Sequence, residues 1–473
     1  MSHSAPSSED FEARLRHVVK QHIDGCEDLT SCERLSGGAS QETYRLEITT
    51  AKGSRTLALR RAAGGIDEEV TPTHPGIRVE AQLMQCAAAA GVPEPEVHYL
   101  LSPEDGLGDG FIMQWLEGEA LGARIIRDPD LDSIRPRLAH ECGRILAQIH
   151  AIDLARTGLD QVLTRVSAAE FVEQTWEQYR RLPTPQPMID YAARWLNDNL
   201  PDDLARSLVH NDFRNGNFMV TPNGIVAVLD WELAHIGDPM RDLGWICTNS
   251  WRFGRSDLPV GGFRTYSDLF SGYEEVSGRK VDPDHVRFWQ VFGSFWWAVG
   301  CLGMAEHYRN GPDQSVERPA IGRRTSECQV DCVNLLIPGP VELIELAQPE
   351  DALDMPTINE LLVSVRDFLR GEVMEASRGR VQFLSRVAGN SLDIVLRELT
   401  SGSQHREREA ERLYGLLGGD RDLARLRWRL VAALREGKIS LTEPGLADHL
   451  RATVVNQVAI DQPGYSGFKT AME

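Results

Sequence analysis

The 473-residue chain has no CxxC pair among its eight cysteines, no excess of basic residues and no internal repeat or low-complexity tract. It also has no apolar run long enough to cross a bilayer. Each absence excludes something. Without paired cysteine spacings neither a disulfide scaffold nor a zinc ribbon is expected, and a reducing, cytoplasmic setting fits. The closest thiols, Cys328 and Cys332, stand one helical turn apart. Two thiols packed on one helix face account for them, with a metal or redox pair as the alternative. A net charge of −20 argues against a general binder of nucleic acid or of membrane surfaces, although a local basic pocket stays open. The most apolar stretch, around Phe292 to Met304, is too short for a span and runs into charge. The opening residues, MSHSAPSSEDFEARL, are polar and acidic, unlike a secretory signal.

What is present is ordinary for a chain with a sizeable core, 42% hydrophobic and 25% charged. A first amphipathic helix is expected over Asp10 to His22. Thr43–Ile48 and Thr56–Arg60 read as a hairpin. A helix from about Ile77 to Ala90 should end at Gly91 and Pro93. Val97–Leu101 and Phe111–Trp115 read as two further strands. From about 130 to 330 the period is mostly helical, interrupted by Ser207–Trp231. Pro338, Pro340, Pro349 and Pro356 mark 337–356 as a linker. Beyond it, Leu361–Leu369, Phe383–Leu399, Leu423–Leu434 and Leu446–Ile460 repeat at helical spacing.

The chemistry concentrates in His210-Asn211-Asp212-Phe213-Arg214-Asn215-Gly216-Asn217. A carboxylate at the start of a tight loop can accept the proton of an attacking hydroxyl. An amide five residues later can reach a metal ion over phosphates. A hairpin through Thr221-Pro222-Asn223-Gly224 then brings Asp230 back beside Asn217. Two oxygen ligands, Asn217 and Asp230, suit Mg²⁺ held jointly with substrate phosphates. Taken singly, Asp212 could be a cap and Asp230 a turn former; the combined spacing favours function. His210 reads as a packed brace for the loop.

HNDFRNGN, VLDWE and GDPMRDLGW together resemble the aminoglycoside phosphotransferase family, distant relatives of protein kinases, over about residues 10–335. The resemblance implies an α+β, bilobal kinase-like fold, a sheet-bearing N-lobe (10–118) and a helical C-lobe (119–336); after the linker, the helical spacing of 357–473 points to an appended all-α accessory domain. The resemblance also implies Asp212 as catalytic base, with Asn217 and Asp230 holding the metal. Asp242 is expected to anchor backbone amides. Glu232 could touch a second metal or face solvent.

There is no Walker A loop. Ser36, Gly37, Gly38 and Ser40, just before the first hairpin, are the candidate phosphate-covering loop for ATP, against an ordinary glycine turn. The kinase strand lysine is also missing: Leu57-Ala58-Leu59-Arg60-Arg61 offers arginine. Arg60 is the natural substitute and Glu80 its partner, with Arg61 in that role only if the register slips by one. By position, the backbone of Gln114 and Leu116 would meet the adenine edge.

The motifs do not name the acceptor. Phe288–Cys332 is aromatic, and its Arg318, Arg323 and Arg324 would tolerate a phosphorylated or carboxylated acceptor better than an aminoglycoside. LALRR with its following loop and Glu80 resembles the kinase domains of certain acyl-CoA dehydrogenase proteins. The tail, from PTINELL to DQPGY, resembles the small helical domain of unknown function that accompanies the 4-hydroxyacyl-CoA kinase of levulinic acid degradation. That implies a 4-hydroxyacyl-CoA (4-hydroxyvaleryl-CoA-like) kinase, with a CoA thioester as acceptor and a link to an acyl-CoA dehydrogenase. An aminoglycoside or other small-alcohol kinase, or a non-catalytic nucleotide-binding regulator whose tail binds a partner, are the alternatives. The tail's many arginines could meet CoA phosphates, or pair with glutamates on solvated helix faces.

Overall fold

A polar turn at Ala51 and Lys52 joins two ten-residue strands, β2 (Gln41–Thr50) and β3 (Gly53–Ala62), in an unbroken antiparallel register. With β1 (Cys26–Arg34), β4 (Val97–Leu100) and β5 (Gly110–Gln114) they form an antiparallel sheet in the order β1-β2-β3-β5-β4. The computed structural model describes residues 8–35, 41–66, 74–202, 206–344, 355–419 and 421–473. All four expected strands, and the helix expected from about Ile77 to Ala90, lie where the pattern places them. β1 is an addition: its sequence, CEDLTSCER, buries fully only Leu29. Two register shifts against β2 break the alternation that would have announced it.

One face of this sheet packs on the helix Ser8–His22. Leu15, Val18 and Val19 of the helix meet Leu46, Ile48, Leu57, Leu59 and Ile112 of the strands. Strand side chains alternate between faces, so this packing also sorts the two arginines. Arg61 follows Leu57 and Leu59 and lies over the Phe11 ring, bonded to Glu42 and to the Leu107 carbonyl. Arg60 takes the other face, with the helix Ile77–Ala89.

The chain divides into two compact units. The first comprises 1–167, 203–247 and 258–286; the second comprises 168–202, 248–257 and 287–473. Besides the sheet, the first unit holds β6 (Ser207–Val209) paired with β9 (His235–Gly237), and between them the hairpin β7 (Phe218–Thr221) and β8 (Gly224–Val228). Gly224 sits at φ 146°, and a Cβ there would lie 2.7 Å from the Glu141 carboxylate, which caps the hairpin through the Ile225 amide. The helices Arg135–His150 and Tyr266–Ser277 complete the unit.

In the second unit the helices Ala168–Arg180, Pro187–Asp198 and Thr325–Leu336 share a core with the C-terminal helices Gly379–Leu417, Leu423–Arg435 and Leu446–Asp461. Buried Asp190 accepts from Trp176 and from Arg435, 245 residues on. Most of the aromatic stripe is core, as with Phe288, Trp289, Phe292 and Phe295. Cys328 and Cys332 are both buried. The three arginines expected near an acceptor are all committed: Arg318 to Asp313, Arg323 to Asp461 and Glu398, Arg324 to Glu327. Several tail arginines are likewise paired, Arg366 and Arg370 with Asp393 and Arg427 with Glu409. No described helix is long and apolar enough to cross a membrane.

Candidate active site

The strand β6 delivers a loop that two carboxylate contacts hold open. Asp242, fully buried, accepts from the amides of His210 (2.9 Å) and Asn211 (2.7 Å). His150 Nε2 lies 3.1 Å from the same carboxylate, and its Nδ1 lies 3.1 Å from the Tyr273 hydroxyl. Burial works to raise the Asp242 pKa, but the His150 bond and the neighbouring imidazoles and amides outweigh it and hold the carboxyl below its ordinary value. Asp242 is thus the backbone anchor expected from its place in GDPMRDLG. Asn211 adopts the left-handed region at φ 69°, which asparagine tolerates, and its amide oxygen accepts from Arg241.

His210 is the brace anticipated from sequence. Its ring lies 4.6 Å from the Trp231 ring, and Nε2 is 3.1 Å from the Leu229 carbonyl. Burial lowers its pKa, so the ring is uncharged at neutral pH.

Asp212 points its carboxylate among three donors. Oδ1 accepts from Trp245 Nε1 at 2.7 Å and from Arg214 Nε at 3.0 Å, while Oδ2 accepts from Asn217 Nδ2. Trp245 and Arg214 were not singled out in the sequence. Both lie within the quoted motifs, but the indole contact spans 33 residues and has no local signal.

Asn217 spends its Nδ2 on Asp212, which leaves its amide oxygen as the atom able to meet a cation. Its carbonyl accepts from Leu229 at 2.8 Å, placing the next residue, Asp230, alongside. Asp230 is left-handed at φ 69°. Its Oδ1 lies 2.6 Å from Arg60, and the same Arg60 nitrogen lies 2.9 Å from Glu80. Burial acts to lower the Arg60 pKa, but the Glu80 and Asp230 carboxylates outweigh it and raise it. Glu80 is 1% exposed, held also by Gln41 Nε2, and burial raises its pKa. The register therefore assigns Arg60, not Arg61, to this cluster.

The structure so gathers Asp212, Asn217, Asp230, Arg60 and Glu80 in one place. Among the described residues no three His, Cys, Asp or Glu side chains form a metal cluster. The donor set fits Mg²⁺, which keeps few protein ligands and completes its shell with phosphate and water. Ser36, Gly37, Gly38 and Ser40 lie outside the described residues. Gln114 ends β5, and its N–H is spent on the Glu96 carbonyl at 2.8 Å, so it cannot donate to a base edge. Leu116 follows in irregular, half-buried backbone.

Comparison with known proteins agrees with this geometry. A family described as the phosphotransferase enzyme family matches residues 31–278, just over half of the chain. The chain belongs to the phosphotransferase enzyme family. It is an enzyme whose family moves phosphate onto hydroxyl groups. Residues 375–465 match a second family, described only as a domain of unknown function (DUF6285). Mouse acyl-CoA dehydrogenase family member 10 is 28% identical over 67% of this phosphotransferase and 30% of its own length. Human acyl-CoA dehydrogenase family member 11 is 23% identical over 78% of this chain and 49% of its own. The chicken member 11 is 32% identical over 46% and 27%. The chain thus spans between 27% and 49% of the length of these relatives. A solved structure from Ralstonia eutropha, described as a candidate aminoglycoside phosphotransferase, shares the fold. Its TM-score is 0.55 at 24% identity, over 67% of this chain and 95% of that one.

Proposed function

We propose that this phosphotransferase moves the γ-phosphate of ATP to the hydroxyl of a 4-hydroxyacyl-CoA, with Asp212 as the base. The observation that carries the base assignment is the donor set around Asp212. A carboxylate offers about four lone-pair directions, and Trp245, Arg214 and Asn217 take three. The fourth can receive the proton of an acceptor hydroxyl as it attacks in line. The three donors hold the carboxylate in one orientation, which is most of what a phosphoryl-transfer site has to do.

Asn217 and Asp230 would hold Mg²⁺. When bound, the ion neutralises charge on the β- and γ-phosphate oxygens. Arg60, set between Glu80 and Asp230, offers a permanent cation with a planar fork of donors for the nucleotide phosphates. Glu80 keeps that fork aimed, and Leu116 remains the candidate for the adenine edge.

The acyl-CoA acceptor rests on a different support. The relatives are named as acyl-CoA dehydrogenase family members, and the tail matches the family of unknown function. The second unit's arginines add nothing to it, because Arg318, Arg323 and Arg324 already hold carboxylates. The test is mass spectrometry after incubation with ATP and Mg²⁺. Added phosphate on 4-hydroxyvaleryl-CoA is expected. No phosphate there, together with modification of a kanamycin-type sugar, would replace the acyl-CoA reading with an antibiotic one.

A further inference from the structure

The long helix Gly379–Leu417 brings Phe383, Val387, Asn390, Ile394 and Arg397 to one side, at steps of four, three, four and three residues. That side begins apolar and ends on a cation. All five residues line a cavity of about 380 Å³ within the second unit, and Ile321 of the helix Glu317–Arg323 lines it too. Val387, Ile394 and Ile321 are only half-buried, so they leave apolar surface uncovered there. The cavity stands independently of the reading above.

Arg397 differs from the other arginines of this wall. Arg323 holds Asp461 and Glu398, and Arg324 holds Glu327. Arg397 pairs with no carboxylate among the described residues. Its Nε and Nη2 donate instead to the carbonyls of Ile460 and Asp461, at the end of the helix Leu446–Asp461. Its third nitrogen, Nη1, has no partner among the described residues and keeps accessible surface. Burial is the largest influence on this guanidinium and lowers its pKa, and Asp393 and Asp461 do not cancel it. Those two carboxylates are already engaged, Asp393 by Arg366 and Arg370 and Asp461 by Arg323. One positive charge is left over at the polar end of the cavity.

We infer that this cavity is a binding site for an aliphatic carboxylic acid, its carboxylate on Arg397 and its chain along Ile394, Val387 and Ile321. The wall selects that class. A single surplus cation beside Asp393 and Asp461 matches one negative charge, and a dianion would meet their repulsion. An alcohol would cover the apolar side but leave the guanidinium uncompensated. A short ion such as acetate would do the reverse. Val387 stands roughly 15 Å along the helix from Arg397, so a chain of medium length covers the apolar side. The volume lies within the usual range of small-molecule sites, about 300–1,000 Å³.

The test is calorimetric titration of the full-length protein with octanoate, and with octanol and acetate as controls that each lack one half of the ligand. Octanoate should bind saturably, and each control about tenfold or more weakly, the worth of a hydrogen bond to a charged group or of several buried methylenes. Arg397→Gln keeps amide donors near the Ile460 and Asp461 carbonyls but removes the charge. It should weaken octanoate binding by about tenfold or more. Ile394→Glu changes a half-buried position one turn before Arg397 and leaves the helix end untouched. Its carboxylate would neutralise Arg397 from within the chain, and octanoate binding should be lost while the thermal transition persists. Octanol bound as tightly as octanoate, octanoate binding unchanged in either folded variant, or no saturable binding at all would each overturn the proposal.

Discussion

The indole N–H of Trp245 donates to Oδ1 of Asp212 at 2.7 Å, and both residues are buried. Trp245 lies on the helix Met240–Ile246, three residues after Asp242, which holds the amides of His210 and Asn211. One short helix therefore sets both the backbone and the side chain of the proposed base. Trp245→Phe keeps the ring and deletes the donor. It should lower kcat by roughly one to two orders of magnitude, the worth of a charge-assisted bond of about 1.5–3 kcal/mol, with little change in nucleotide affinity. Steady-state kinetics would check it, and an unchanged kcat would reduce Trp245 to packing.

Arg60→Ala should cost more than Arg60→Lys. Removing the cation leaves Glu80 buried without its partner, which typically destabilises by about 3–5 kcal/mol. The lysine variant keeps a charge and should retain measurable nucleotide binding. Urea denaturation and an ATP titration on both variants would decide it. Equal stabilities would mean that Glu80 does not depend on this cation.

Asp242→Ala removes the acceptor of two buried amides and the partner of His150. With about 1–3 kcal/mol for each donor left unsatisfied, it should be the most destabilising single change in the first unit. Thermal unfolding would show a large drop in Tm. A near-normal Tm would mean that other groups hold the loop.

Asp331, buried in the second unit, accepts from Tyr465 at 2.6 Å and Asn249 at 2.8 Å. Burial is the larger effect and raises its pKa from 3.8 to about 7, although those donors act to lower it. The folded value lies above the unfolded one. Its contribution to stability is therefore complete below about pH 4 and is lost as pH rises towards 7, at no more than about 1.4 kcal/mol per pH unit. Asp331→Asn should remove that slope. Parallel stability curves for the two proteins between pH 4 and 7 would contradict the shift.

The first hairpin, the helix Ile77–Ala89 and the loop from His210 to Asn217 were legible because each obeys a local rule: alternation, helical period, or fixed spacing between chemical groups. Arg60 was legible for the same reason, since period two decides which of two adjacent arginines faces Glu80. What escaped was non-local. β1 hides behind register shifts, and the Trp245 contact exists only after folding. Arg323 looked available because its carboxylate partners, Asp461 and Glu398, are far away in sequence, whereas Arg318 and Arg324 pair locally with Asp313 and Glu327.

The base assignment is tested most directly by single-turnover transfer from ATP–Mg²⁺ to 4-hydroxyvaleryl-CoA in Asp212→Asn against the unmodified enzyme, with ATP affinity measured alongside. The variant should bind ATP normally and transfer phosphate about 10²–10⁴-fold more slowly, the usual worth of a positioned base. Transfer at a near-normal rate would show that the hydroxyl proton does not go to Asp212.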